Sequence, residues 1–281
     1  MAITYTPLRY PGGKTAYAGL LEKIIELNKL NDVILVEPYA GGAGASIKLF
    51  LSGKVSGLVL NDLDPAIYAF WWSVIHSPEA LIEKISKVPI TIEEWKKQRE
   101  ICRHKDTRDL LTLGFSTLYL NRCNRSGILT ANPIGGINQN GRYKLDARFN
   151  REGLAKKILA ISEKASLIDL HNISCEKLLA GLKRRKDKSH LLVYLDPPYF
   201  QKGPCLYLNH YDQNDHSKLA KLVLSCDFNW IMSYDSKNEV RRLYSSVPQY
   251  QSSLRYTIIG NIEASELVIT RLKVPNSLKR I

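Results

Sequence analysis

The 281-residue sequence has no run approaching the roughly 18 apolar residues that a membrane-spanning helix needs, which excludes a transmembrane protein. Its opening, MAITYTPLRYPGGK, lacks the basic-then-apolar layout of a secretory signal, and a cytoplasmic location is expected. Cysteines are few, odd in number and scattered: Cys102, Cys123, Cys175, Cys205 and Cys226 contain no C-x-x-C pair. That pattern excludes a disulfide framework and a zinc site and fits buried or free thiols in a reducing compartment. The six histidines form no H-x-x-x-H pattern, so no metal is expected. A hydrophobic content of 44% argues for a real core and against disorder. Acidic residues are the scarce charge, with 27 Asp+Glu against 40 Lys+Arg for a net +13, which favours an anionic partner and nucleic acid first.

What is present alternates. Short apolar runs at Val33–Glu37, Gly57–Asn61, Ser166–Leu170, Leu191–Leu195 and Asn229–Ser233 read as parallel strands buried on both faces. Helical stretches follow the first two, at Ala45–Leu51 and Pro65–Ile75, which predicts a doubly wound α/β sheet. Leu254–Ile259 and Glu266–Leu272 read as an antiparallel hairpin on the sheet edge, joined by a loop that opens with Gly260-Asn261. Residues 77–164 break the alternation with helical patterns at Thr91–Arg103 and Arg108–Leu120 and a Gly/Asn/Pro-rich stretch from Asn121 to Asn150. They hold 17 Lys+Arg against 10 Asp+Glu, a net +7 in 88 residues, where the other 193 residues carry +6. The expected organisation is therefore a sheet domain of residues 1–76 and 165–281, interrupted by a basic, mainly helical lobe of residues 77–164. Lys183-Arg184-Arg185-Lys186 reads as a solvated loop entering the Leu191 strand.

The first strand runs into Glu37-Pro38-Tyr39-Ala40-Gly41-Gly42-Ala43-Gly44. Glycines at a strand-to-helix turn let the backbone approach a ligand and aim helix N–H groups at it, which singles out Gly41, Gly42 and Gly44. An acid ending the next strand serves ribose hydroxyls in nucleotide-binding sheets, and Asp62 stands there, 21 positions after Gly41. The spacing departs from G-x-G-x-x-G, and Glu37 already places a carboxylate beside the turn. A carboxylate there repels the two phosphates of a dinucleotide but tolerates a cationic sulfonium, which tilts the reading from NAD to S-adenosylmethionine. The N-terminal block Leu8-Arg9-Tyr10-Pro11-Gly12-Gly13-Lys14 adds a turn with an aromatic and a cation, without phosphate-loop spacing.

Leu191–Leu195 leads straight into Asp196-Pro197-Pro198-Tyr199, at the strand end where open α/β sheets hold their ligands. Two prolines stiffen the turn and remove two backbone donors, leaving carbonyl acceptors. An exocyclic amino group offering its hydrogens to the Asp196 carboxylate and the Pro197 carbonyl would have its lone pair drawn out of ring conjugation, ready to attack a methyl carried on sulfur. Tyr199 would stack a base rotated out of its duplex.

On these residues the chain resembles the Dam-like, D12 class of DNA adenine-N6 methyltransferases over nearly its full length. Tyr10-Pro11-Gly12-Gly13-Lys14 matches the family's N-terminal block, Glu37 to Gly44 its cofactor turn and Asp62 its ribose-binding acid. Asp196-Pro197-Pro198-Tyr199 matches its catalytic motif, and Ile231-Met232-Ser233-Tyr234 the strand after it. The resemblance implies a Rossmann-like methyltransferase sheet, base flipping, site-specific methyl transfer from S-adenosylmethionine to adenine N6 in double-stranded DNA, and recognition by the insert. It implies that Tyr10, Lys14, Asp62 and Asp196 contact cofactor or target. A cognate restriction endonuclease is a candidate further partner, and a monomer is the favoured state, though the sequence itself fixes neither. Ser174 stands where relatives carry an acid near the cofactor adenine. In Leu120-Asn121-Arg122-Cys123-Asn124-Arg125-Ser126-Gly127, which resembles the recognition turn, Arg125 replaces the expected aromatic, and Pro133-Ile134-Gly135-Gly136 departs from Dam itself. Arg122 and Arg125 are expected to contact DNA, without inheriting any particular target sequence.

Cytosine-N4 and RNA adenine-N6 methylation use the same chemistry and stand as alternatives. Protein glutamine methylation is disfavoured, because those enzymes generally carry Asn where Asp196 stands. An NAD-dependent oxidoreductase has no use for Asp196–Tyr199 or for the basic insert, and a non-catalytic binding module has no use for an intact tetrapeptide.

Overall fold

A computed structural model of the chain describes residues 5–9, 17–198, 211–252 and 266–281. In chain order the first elements are α1 (Tyr17–Leu27), β1 (Ile34–Glu37), α2 (Gly44–Leu51), β2 (Gly57–Asn61), α3 (Pro65–His76), α4 (Pro78–Lys87), α5 (Ile92–His104), α6 (Leu110–Cys123), α7 (Arg151–Ser162) and β3 (Ile168–His171). There follow α8 (Cys175–Leu182), β4 (Leu191–Leu195), α9 (Gln213–Leu224), β5 (Asn229–Asp235), α10 (Asn238–Leu243), β6 (Gln249–Ser252), β7 (Glu266–Thr270) and β8 (Lys279–Arg280). The chain forms two compact units, one of residues 1–13 and 64–172, the other of residues 14–63 and 173–281. No helix among the described residues is long and apolar enough to cross a membrane.

Seven strands belong to the second unit, in the order β2-β1-β4-β5-β7-β6-β8. The first four are parallel neighbours, and β7, β6 and β8 continue antiparallel. β2 and β4 are buried at every position, as parallel strands covered on both faces must be. Val36, Val59 and Val193 of three adjacent strands share one core with Leu179 of α8 and Leu219 of α9. Each such side chain contributes about 1.5–3 kcal/mol on leaving water. From β1 the chain moves outward to β2, and β4 later returns on the opposite side of β1. That reversal opens a crevice at the C-terminal ends of β1 and β4, the usual ligand position in such sheets.

The C-terminal part is antiparallel, as expected, but its strands take other bounds and places in the sheet. Leu254–Ile259 lies outside the described residues. The partner of β7 seen here is β6, and β7 itself lies between β5 and β6 and not on the edge. Glu266–Thr270 is buried at all five positions, which suits an inner strand. The edge falls to β8, a two-residue strand whose exposed Lys279 and Arg280 suit a position that must resist further pairing. β5 runs two residues beyond its expected end because Tyr234 and Asp235 pair with Leu267 and Glu266. β3 starts two residues late, after a 3-10 turn at Ala165–Leu167.

The first unit is helical, with β3 at its end. α3 is apolar nearly all round, burying Phe70 and Trp71, and packs on α6. Gly114 permits that contact: a Cβ there would meet the Ala69 carbonyl oxygen at 2.4 Å. By packing, α3 therefore belongs with the helices and not with the sheet. Asp109 and Asn150 cap α6 and α7 by accepting from the backbone N–H groups of Thr112 and Gly153.

Candidate active site

β1 delivers the first group of site residues. Glu37 is 3% exposed at its C-terminal end and accepts a short hydrogen bond from the Ser46 hydroxyl of α2. The chain then turns through Pro38–Ala43, with Gly41 at φ 45° and Ala43, the residue capping α2, at φ 44° and ψ 36°. The Gly41 N–H donates to Asp62 Oδ2 at 2.8 Å, so the glycine turn and the acid after β2 meet directly. Asn61, 1% exposed, staples the surroundings. Its amide donates to the carbonyls of Pro38 (2.9 Å) and Ile173 (3.0 Å) and accepts from the Ile173 N–H (3.1 Å). Neighbouring turns of the second unit are thus held in one arrangement.

β4 delivers the second group. Asp196 is half-buried and Pro197 and Pro198 are buried, directly after a wholly buried strand. The Ser233 hydroxyl of β5 donates to Asp196 Oδ1 at 2.8 Å, and Tyr194 Oη lies 3.1 Å from Ser233 Oγ. Burial, and then the Asp196 charge, push the Tyr194 phenol well above its ordinary range, so it remains protonated. Glu37, Asp62 and Asp196 end three adjacent parallel strands at one edge of the sheet, an acidic and hydrogen-bond-accepting rim.

The first unit holds a cationic surface around the C-terminus of α6. Asn121 is buried; it accepts from the Arg9 N–H at 2.7 Å and donates to the carbonyls of Arg9 (2.5 Å) and Gly127 (2.9 Å). Asn124, fully buried, accepts from Trp95 Nε1 at 2.7 Å and donates to the carbonyls of Ile128 and Leu129, both at 2.9 Å. These two amides shape the turn in which Ser126 and Gly127 adopt φ 55° and 76°. Arg122 is half-buried, and among the described residues neither its Nε nor Nη1 of Arg9 has a hydrogen-bond partner. Burial, then Arg9 and Arg148, push the Arg122 guanidinium down to about 10; burial and then Arg122 lower Lys157. Cations gathered against their own repulsion, with buried N–H groups unpaired, suit an anion. Arg125 is exposed.

The structure thus brings Gly41 and Asp62 together and sets Asp196 on the same sheet edge, with Gly42 buried and Gly44 opening α2. Tyr10, Lys14 and Tyr199 lie outside the described residues. Ser174 caps α8 by accepting from the Lys177 N–H at 3.3 Å. Sequence reading missed Asn61 and Ser233, whose polar character inside apolar strands was the available signal. It also missed the loop after Pro133. There the Gln139 amide donates to the carbonyls of Ile134 (2.8 Å) and Gly136 (2.6 Å) and accepts from the Leu145 N–H (2.8 Å). The loop presents Ile137, 45% exposed, and Tyr143, 60% exposed, with the Arg142 guanidinium 5.6 Å from the Tyr143 ring centre. Large apolar groups exposed among cations were the signal there. Cys102, Cys123, Cys175 and Cys226 are buried free thiols.

Among the solved structures that the chain resembles are two at low identity. The rRNA methyltransferase aviRa from Streptomyces viridochromogenes is 14% identical with a TM-score of 0.38, covering 96% of this chain and 86% of that one. A protein from Legionella pneumophila str. Philadelphia 1 is 10% identical with a TM-score of 0.36, covering 94% of this chain and 86% of that one. No curated protein matches the chain. The family of D12 class N6 adenine-specific DNA methyltransferases matches residues 10–258, a span that holds the glycine turn, Asp62, Asp196–Tyr199 and the basic insert. The chain belongs to the D12 class of N6 adenine-specific DNA methyltransferases.

Proposed function

We propose that this chain transfers a methyl group from S-adenosylmethionine to adenine N6 at a specific site in duplex DNA, acting on a base flipped from the helix. The observation that carries the site assignment is Asp196 at the end of β4, on the same sheet edge as the Gly41–Asp62 bond. The fit to the cofactor rests on the donor set. A buried glycine turn with two left-handed residues admits close backbone approach, and carboxylates at Glu37 and Asp62 suit a cation and ribose hydroxyls, not phosphates. Glu37, Gly41, Gly42, Gly44 and Asp62 would hold it, with Tyr10 and Lys14 assigned to cofactor or target by their match to the family's N-terminal block. When bound, S-adenosylmethionine supplies an electrophilic methyl group on a sulfonium.

The chain's own residues do the rest. Asp196 accepts a hydrogen bond from one N–H of the adenine amino group, the Pro197 carbonyl accepts one from the other, and the N6 lone pair is freed from ring conjugation. Pro197 and Pro198 keep that turn rigid, and Tyr199 stacks the flipped base. Residues 77–164 form the recognition lobe, where Arg122 and Arg125 contact DNA, supported by the cationic cluster around Arg122. The buried free thiols support a reducing cytoplasm as the setting.

The test is transfer of labelled methyl from S-adenosylmethionine to unmethylated DNA, followed by nucleoside digestion. N6-methyladenine is expected. N4-methylcytosine would overturn the base assignment, and labelling of RNA alone would overturn the substrate.

A further inference from the structure

Ser233 lies beside the proposed catalytic carboxylate with no exposure at all, between the buried Met232 and Tyr234 of β5. Its position follows from sheet register. Leu195 stands opposite Met232 in the parallel pair of β4 and β5, and one step further puts Asp196 opposite Ser233. A serine hydroxyl has one hydrogen, and here it points to Asp196 Oδ1. The contact of 3.1 Å with Tyr194 must then run the other way, with the phenol donating to Ser233 Oγ. The burial and charge that keep Tyr194 protonated secure that direction. Two O–H dipoles therefore point in series at the carboxylate, each strengthening the other. The line is fixed from behind: the Tyr17 ring of α1 stacks on Tyr194 at 5.8 Å, and the Tyr17 hydroxyl donates a short bond to Glu266 of β7. Besides Asp196, the titratable groups acting on Tyr194 are Tyr17 and Glu266, and both raise it.

We infer that Ser233, backed by Tyr194, is a positioning residue that holds Asp196 ionised and in a single orientation, so that it meets the adenine amino group only as an acceptor. This rests on the assignment of Asp196 as the catalytic carboxylate. A protonated Asp196 would present a donor to an amino group that also donates, and a freely rotating one would meet the amino hydrogens only part of the time. Both faults fall on the amino group that reacts, so the larger effect is expected in kcat.

The test compares wild type, Ser233→Ala, Ser233→Thr and Tyr194→Phe. For Ser233→Ala, kcat is expected to fall about tenfold or more, the cost of a lost hydrogen bond to a charged group. The KM for DNA and the Kd for S-adenosylmethionine should stay within about twofold, and Thr should restore most of the rate. Carboxyl carbon NMR on the free protein, with Asp196→Asn identifying the signal, should show Asp196 titrating at higher pH in Ser233→Ala than in wild type. Tyr194→Phe should move both readouts the same way by a smaller amount, and it decides the matter if Ser233→Ala does not fold. Unchanged kcat and an unchanged titration in the folded variants would overturn the proposal. Undiminished transfer by Asp196→Ala would instead overturn the catalytic assignment, and the titration would still report whether Ser233 governs that carboxyl group.

Discussion

Asp196 and Asp62 are both carboxylates at strand ends, the proposed function gives them different work, and two substitutions should separate them. Asp196→Ala removes the acceptor of an amino hydrogen in the transition state. Methyl transfer should fall by roughly a hundredfold or more, with S-adenosylmethionine binding and the unfolding midpoint close to wild type, as read by calorimetry. Asp62→Ala should do the reverse, raising the cofactor Kd by about tenfold to a hundredfold while kcat at saturating cofactor holds near wild type. Titration calorimetry checks it, and unchanged cofactor affinity would remove Asp62 from the site. Both acids were legible in the sequence, because each follows an apolar strand and strand ends are where such sheets keep their chemistry. For Asn61 and Ser233 the sequence showed only a polar residue inside an apolar strand, not its partner. The partners of Asn61 are backbone groups around residues 38 and 173, and that of Ser233 is a carboxylate 37 positions away. Only the order of strands in the sheet makes either pair neighbours, and spacing along the chain carries no trace of it. Ser174 was legible as an exception to the family pattern. Its cap on α8 shows a use that a small hydroxyl fulfils there.

At the scale of elements, the turn after α6 depends on backbone shape more than on any one contact. Gly127 has φ 76°, and a Cβ there would meet the Arg9 carbonyl oxygen at 2.6 Å. Gly127→Ala therefore faces left-handed strain of about 1–2 kcal/mol and a clash with the strand of residues that Asn121 clamps. The expected outcome is a folded protein of lower denaturation midpoint whose DNA affinity falls further than that of a Gly53→Ala control. Gly53 also has positive φ, at 71°, but nothing lies within 4 Å of its would-be Cβ. Equal losses of DNA affinity in the two variants would refute a special role for this turn. The parallel strands β2 and β4 match the sequence reading residue for residue, since an unbroken apolar run bounded by polar residues has few other meanings. β6 escaped notice because Gln249–Ser252 is mostly polar and buried only at its two end residues. β7 was found but set at the edge, because hydrophobicity reports that a strand is inside without saying which strands flank it. α4 shows why helices of the insert were harder: only Leu81 and Ile85 of its ten residues are buried, too thin a stripe to stand out from its charges.

At the scale of the whole molecule, a net +13 states that an anion is wanted, but it does not say where the charge is useful. Stability and binding can locate it, because a site built for an absent anion is paid for by the free protein. The role proposed for Arg122 in holding DNA makes it the residue on which to test this. Its guanidinium is pushed down to about 10 by burial and by Arg9 and Arg148, below its value in an unfolded chain. A basic group whose folded value is depressed disfavours folding while it is charged. The cost is present in full below pH 10 and fades as the pH rises through that value. Arg122→Met keeps the aliphatic bulk and removes both the charge and the unpaired Nε. At neutral pH it should raise the unfolding midpoint of the free protein. Its affinity for DNA should fall at every salt concentration, and the slope of log affinity against log salt should drop by about one counterion. Arg108→Met is the control, since Arg108 sits exposed in an ion pair with Asp106 at 2.7 Å and should change neither quantity appreciably. A lower midpoint for Arg122→Met would mean that the cluster is satisfied within the protein. An unchanged salt slope would mean that Arg122 neutralises no phosphate, and the excess charge would then have to be useful elsewhere on the insert, with Arg142 and Lys144 beside the exposed Tyr143 as the next residues to replace.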